Sequence, residues 1–210
     1  INKVKITAYA ELTEEAKKLP NIDYAKKVEE NCNIALRKKL SQQVIAGTGT
    51  KQITGIFTTP KAIDGAKDIE IKAIDENTLD EIIFSYGGDE DVVTEAVLIL
   101  NKKTLKALSQ VRLADGKKAY DIDKNKKTIN TIPYVINSNL KDFDTATEGD
   151  YVFGYGDLSA YKVATFSPVD IQESADFKFK QGMICYRASV FVGGNVIKQD
   201  GFLRVKKKTA

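Results

Sequence analysis

The longest periodic stretch of the chain runs from Tyr24 to Val44. Apolar side chains recur there every third or fourth residue, at Tyr24, Val28, Cys32, Ala35, Leu36, Leu40 and Val44, a spacing that places them on one face of a helix. The pattern predicts a helix from Asp23 to about Val44, capped by Asn21 or Asp23 and supported by Asp23 and Lys27 one turn apart. At about 1.5 Å per residue such a helix is roughly 33 Å long, a spine for a small domain. Before it, the opening residues "INKVKITAY" alternate as a strand does. Thr13 then caps a short helix with Glu14 and Glu15 in its first turn and Lys17 and Lys18 in its last, both signs matched to the helix dipole, and Pro20 ends it.

From Pro60 onward shorter elements alternate. "IEIKA" at 69–73 reads as a strand, and residues 78 to about 86 as a helix with Asp80 and Glu81 in its first turn. "EAVLIL" at 95–100 reads as a buried strand, followed by a helix that Asn101 caps and that carries Leu105 and Leu108. "LADGKKAYDI" is a turn into a hairpin, and "IPYVINS" at 132–138 is another strand. "YVFGYGDLSAYKVATF" reads as a strand, a tight glycine turn and a second strand, with Tyr151, Phe153, Tyr155 and Tyr161 alternating as in ordinary sheet packing. The C-terminal quarter holds long strand-like runs, broken at Ala175 and Asp176 and again at Gly193, Gly194 and Asn195, with Pro168 marking an edge or a bulge. Helices in front, an antiparallel sheet behind and a mixed layer between make an α+β protein of two lobes that share several chain crossings.

Composition narrows the function more than the fold. Hydrophobic residues make up 42% and charged residues 29%, near globular averages, so disorder and membrane insertion are both poor readings. No apolar run approaches the ~20 residues of a membrane-spanning helix. With 32 basic and 29 acidic residues the net charge is +3, and the totals indicate no strongly basic nucleic-acid face. The basic end, Arg204 with Lys206, Lys207 and Lys208, reads as a solvated tail. Histidine is absent, which removes the Ser-His-Asp triad, the Cys-His pair and every imidazole metal ligand. Cys32 and Cys185 form no CxxC unit and read as buried thiols in a reducing compartment. The chain opens at Ile1, inside a strand pattern, as though cut from something longer.

One stretch resembles a phosphate cradle. "IAGTGTKQITGIF" at 45–57 carries Gly47, Gly49, Lys51 and Gly55, and glycine-rich loops present backbone N–H groups to anions. Its spacing matches neither GxxxxGK[ST] nor GxGxxG, and it follows a helix, where the free groups are carbonyls and the dipole end is negative. Glycine termination of the spine helix explains it better. Acidic groups gather at Asp89 to Asp91, at Asp142, Asp144 and Asp150, and at Asp121 with Asp123. None has the Ca²⁺-loop pattern, and all read as solvated loop charge. GxSxG is absent, "GDLSAY" being the nearest approach. No cofactor, metal or small-molecule substrate is implied.

The order of these elements resembles a family. "AELTEEAKKLPNIDYAKKVEENCNIALRKKL" followed by "SQQVIAGTGTKQITGIF" is similar to the spine-helix region and closing glycine loop of tailed-bacteriophage major capsid proteins of the Hong Kong 97 type. "AVLILNKKTLKALSQVRLADGKKAYDI", "TINTIPYVINSNL" and "YVFGYGDLSAYKVA" resemble that family's later segments, in the family's order. Asn130, Thr131 and Ile132 stand where the family often has a glycine. The resemblance implies a peripheral lobe of residues 1–60 and 161–192, holding the long helix and an antiparallel sheet, and a mixed α/β axial lobe of 61–160 and 193–210. The family's N-terminal arm and extended hairpin are expected to be absent, so that this fragment folds without building a shell by itself.

The function implied is that of a structural major capsid protein of a phage or prophage, without enzymatic activity. Copies would self-assemble as pentamers and hexamers into an icosahedral shell around non-specifically held double-stranded DNA, forming the virion capsid in the bacterial host cytoplasm, with no membrane. Subunit contacts would fall on the Gly47, Gly49 and Lys51 loop, on Gly87, Asp89, Asp91, Asp142 and Asp144 near the symmetry axis, and on Ser174, Lys178 and Lys180 in a turn from Ser174 to Gly182 at local three-fold contacts. Two alternatives stand beside it: an encapsulin-like compartment shell, and a nucleotide-binding enzyme using the Gly47 to Gly55 loop.

Overall fold

The computed structural model describes residues 2–18, 24–60, 68–87 and 96–208, and the described residues form eleven strands and four α-helices. They are β1 (Val4–Thr13), α1 (Glu14–Lys17), α2 (Tyr24–Ala46), β2 (Asp68–Ile71), α3 (Thr78–Phe84), β3 (Ala96–Leu100), α4 (Lys102–Gln110), β4 (Ile122–Asp123), β5 (Thr128–Ile129), β6 (Ile132–Ile136), β7 (Tyr151–Asp157), β8 (Tyr161–Thr165), β9 (Asp170–Lys178), β10 (Met183–Val196) and β11 (Phe202–Lys207). Two compact units result: Ile1–Gly55 with Val163–Asn195, and Ile56–Lys162 with Val196–Ala210. The chain passes from one to the other after Gly55, after Lys162 and after Asn195.

The first unit is a sheet covered by one helix. β1 pairs antiparallel with β10 along its whole length, from Val4 opposite Val192 to Thr13 opposite Met183, and β9 and β8 also pair with β10. Because side chains alternate across a strand, Val4 and Ile6 fall on the same face as Ile184, Tyr186, Ala188, Val190 and Val192, and α2 lays Val28, Cys32 and Leu36 onto that face. Burying one such leucine stabilises the fold by roughly 1.5–3 kcal/mol. The helix stripe is narrower than its periodicity suggests: Ala35 is exposed, and the buried line runs Val28, Cys32, Leu36 at four-residue steps. The predicted caps Asn21 and Asp23, the Asp23–Lys27 pair and Pro20 involve residues outside the described ones. Thr13 does cap α1, its hydroxyl accepting from the Ala16 amide at 3.2 Å.

Strand pairing overrides two of the predicted turns. Ala175 and Asp176 lie inside β9, where Ser174 pairs with Cys185. The reversal comes later, in a single helical turn at Phe179–Gln181 closed by Gly182 at φ 60°. Gly193, Gly194 and Asn195 are the end of β10, not a turn. The Gly194 carbonyl accepts from the Thr54 amide at 3.3 Å, which ties the end of the strand to the loop beyond α2. Pro168 sits in the irregular stretch between β8 and β9.

The second unit holds a seven-stranded mixed sheet in the order β2-β11-β7-β3-β6-β5-β4, with β2 and β11 parallel, β3 and β6 parallel, and the other neighbours antiparallel. Leu98, Leu100, Val152, Phe153, Leu203 and Val205 fill its core with Leu79 and Ile82 of α3 and Leu108 of α4. Gly154 and Gly156 lie within β7, and the turn after it is a single helical turn at Leu158–Ala160. The reason is space: a Cβ on Gly154 would stand 2.7 Å from the Phe57 ring, and one on Gly156 2.3 Å from the Gly201 carbonyl oxygen.

The basic end is no solvated tail. β11 is an inner strand, and Arg204 is 2% exposed. Its Nε donates to Asp68 Oδ1 at 2.9 Å and its Nη1 to the Thr59 carbonyl at 2.7 Å, while Lys206 meets Asp68 Oδ2 at 2.9 Å. Charge along a sequence does not reveal a partner that lies 136 residues away.

Candidate functional site

The glycine loop after α2 folds back on itself. The Gly47 amide donates to the Gln43 carbonyl at 2.8 Å, the Gly49 amide to Ile53 O at 3.3 Å and the Gly55 amide to Gly47 O at 2.9 Å, and Thr48 bridges Thr54 antiparallel. The amides of Thr48 and Ile53 donate to the side chains of Gln52 and buried Gln43. With these donors consumed inside the loop, none of them remains to cradle a phosphate. Gly49 takes the left-handed conformation at φ 77°. Gly47, the terminating residue, is needed for space instead, since a Cβ there would lie 2.1 Å from Ile53 O. Lys51 is exposed, also with positive φ, and stands at the loop tip.

Of the acidic positions, Asp89 and Asp91 lie outside the described residues, and Gly87 has φ 81°. Asp142 departs from the solvated reading: it is buried. Its Oδ2 accepts from the Thr145 hydroxyl at 2.8 Å and its Oδ1 from the Thr145 amide at 3.1 Å, while Lys103 approaches at 3.4 Å. The Thr145 hydroxyl bond holds the Asp142 carboxyl below its ordinary value, against the effect of burial. Asp142 thus shapes the loop, and Asp144 is left facing solvent. Asp150 is tied similarly to Lys141 at 2.9 Å and to the Thr147 hydroxyl at 2.7 Å, which together lower it to about 2.

Ser174, Lys178 and Lys180 do not share one turn. Ser174 is exposed within β9 and Lys180 is exposed in the helical turn. Lys178 pairs with Glu11 at 2.5 Å, a bond that raises its ammonium above the ordinary lysine value. Between them the outer faces of β1, β10 and β9 form a groove of about 720 Å³ lined by Tyr9, Glu11, Phe177, Cys185 and Arg187. Tyr9 and Phe177 are three-quarters exposed there. Cys185 is half-buried rather than buried, and both cysteines are free thiols.

Three positions escaped sequence reasoning because their partners are remote. Asp68 anchors Arg204 and Lys206. Burial raises its carboxyl, but the bond to Lys206 and the charge of Arg204 outweigh that and leave it below its ordinary value. The Tyr120 hydroxyl donates to Asp75 O at 2.6 Å and accepts from the Leu79 amide at 3.3 Å, closing the start of α3 from 41 residues away. Thr104 of α4 is buried, and its hydroxyl accepts from the Phe143 amide at 3.1 Å. Among the described residues no helix is long and apolar enough to cross a membrane, and no group of three or more metal-ligating side chains is present.

The sequence model of the phage capsid family matches residues 1–207. A search of curated proteins finds no match. Among solved structures, the chain superposes on the capsid of a native GTA particle with a TM-score of 0.81 at 17% identity, covering 99% of this chain and 73% of that one. A Gordonia phage Cozz chain gives 0.69 at 16% identity, with 99% and 71% covered. The holo-SrpI encapsulin complex of Synechococcus elongatus gives 0.62 at 9% identity, with 97% and 73% covered.

Proposed function

The chain belongs to the phage capsid family, and from that premise we propose that its copies assemble, as pentamers and hexamers, into a closed icosahedral shell around double-stranded DNA. The observation that carries this reading is the likeness of fold, over 99% of the chain, to the GTA capsid. That the protein is structural agrees with its lack of histidine and with a loop whose three glycine amides are already bonded to backbone carbonyls. In this reading the unit built on α2 is the peripheral lobe and the unit built on the seven-stranded sheet is the axial lobe. The loop of Gly47, Gly49 and Lys51 contacts neighbouring copies. Gly87, Asp89 and Asp91 face the symmetry axis with Asp144, on the loop that Asp142 holds in shape. Ser174, Lys178 and Lys180 serve the local three-fold contacts. Assembly takes place in the bacterial host cytoplasm, and the mature location is the virion.

The likeness to an encapsulin supports a second reading, a compartment shell that holds proteins. Particles purified from cells expressing the full gene product and treated with nuclease separate the two. The phage reading expects protected double-stranded DNA, and particles with protein contents and no protected DNA count for the compartment. Calorimetric titration with nucleotide tests the enzyme alternative: the shell reading expects no heat of binding, and micromolar binding lost in Lys51→Ala contradicts it.

A further inference from the structure

The modest net charge conceals a strongly basic segment. Residues 102–127 contain nine basic and three acidic residues, while the whole chain carries only +3, so the remainder is net acidic. The fold concentrates this charge. Lys102 and Lys106 project from α4, and Lys118, Lys124 and Lys127 come from the turn and the β4–β5 hairpin. Together they rim two adjoining hollows of about 350 and 550 Å³ that share Lys102, Leu105 and Lys124. Within the segment only Lys103 and Lys117 are ion-paired among the described residues, to Asp142 and Asp115. Asp123 spends one carboxylate oxygen on the amides of Asn125 and Lys126, and Asp121 alone of the acids lines the trough.

The floor is apolar. Leu105 lies between the two hollows, and Ile136 of β6, on the same face of the sheet as Tyr134, is 45% exposed in the larger one, while the adjacent Val135 side chain falls on the opposite face. The tyrosines of the walls, Tyr120 and Tyr134, are buried at 3% and 5% exposure, so no open ring is available for base stacking. A duplex is convex and presents phosphates without apolar groups, so it would leave Leu105 and Ile136 wet. A concave surface with a positive rim and an aliphatic floor is complementary to a polypeptide that alternates carboxylates with apolar side chains.

We propose that this lysine-rimmed trough docks an acidic amphipathic segment of a partner protein, with carboxylates on Lys102, Lys106, Lys124 and Lys127 and apolar side chains on Leu105 and Ile136. The surface lies on one chain and does not depend on shell formation, so its test is separate from that of assembly.

The test is fluorescence anisotropy of the 210-residue chain with a labelled peptide in which leucine recurs at helical spacing among glutamates. An all-glutamate peptide of equal charge and a short DNA duplex serve as competitors. Expected are saturable binding that weakens as salt rises and a loss of about tenfold or more in each of two variants, the double variant Lys102→Glu with Lys124→Glu and the single variant Ile136→Thr. The threonine keeps a β-branched residue in the strand, and circular dichroism verifies that both variants fold. No binding by the folded chain overturns the proposal. So does displacement by the duplex or the all-glutamate peptide with no effect of Ile136→Thr, which makes the trough a generic polyanion site. Self-association of the chain that Lys102→Glu abolishes, without peptide binding, assigns the face to a second copy and equally overturns it.

Discussion

At Gly47 the constraint is measured in tenths of an ångström. A methyl group there would stand 2.1 Å from Ile53 O and 2.5 Å from Gln43 O, both backbone atoms. Neither can swing aside as a flexible side chain would. Gly47→Ala is therefore expected to cost about 2–3 kcal/mol or more, read as a lower midpoint of denaturant unfolding. The opposite holds at the hairpin between β5 and β6. Ile129 pairs with Ile132, so Asn130 and Thr131 form a two-residue loop, and both have positive φ, 46° and 76°. Such a loop favours glycine at its second position. A β-branched residue held there is strained by about 1–2 kcal/mol, so Thr131→Gly should raise the thermal midpoint. An unchanged or lower midpoint would count against this account of the turn.

Among elements, the parallel pairing of β2 with β11 is held by more than its ladder. Arg204 is buried beneath it with Asp68, and deleting one member of such a pair leaves the other uncompensated. Asp68→Asn is expected to destabilise by about 3–5 kcal/mol. Restoring a well-packed apolar pair, Asp68→Leu with Arg204→Met, should recover most of that loss in equilibrium unfolding. Acid sensitivity belongs to the loops. Asp150 is lowered from 3.8 to about 2 by Lys141 and Thr147, and Asp157 likewise to about 2 by Lys198 and Ser159. A carboxylate lowered in the folded state contributes stability that is fully present above the unfolded value and is lost as pH falls through the folded one. Asp150→Asn with Asp157→Asn should therefore flatten the decline of stability between about pH 4 and pH 2, while leaving the slope near neutrality unchanged. The same scale shows what the sequence could disclose. Thr13 and Asn101 cap their helices as their positions require, with the Asn101 side chain accepting from Lys103 N at 3.0 Å. The period of α2 is legible because one helix face meets one sheet. By contrast, Ala175, Asp176, Gly193 and Gly194 have turn chemistry but extended backbones, since cross-strand pairing and close approach decide there. Local propensity carries no record of either.

For the whole molecule, the α+β class and the family were legible in the order of weak segments, because a fold constrains sequence collectively even at 17% identity with the GTA capsid. The basic end and Asp142 differ from what their sequence neighbours indicate, since their partners Asp68 and Thr145 are fixed only once the sheet and its loops are formed. Contacts between copies leave no periodicity in a single chain, so the positions proposed for them rest on order along the fold. The central claim concerns those copies. Cryo-electron microscopy of the full-length gene product, purified after expression in a bacterial host, tests it most directly. The account predicts closed particles with icosahedral symmetry whose subunits superpose on this fold. Monomers alone, under every condition of salt and concentration, would contradict it.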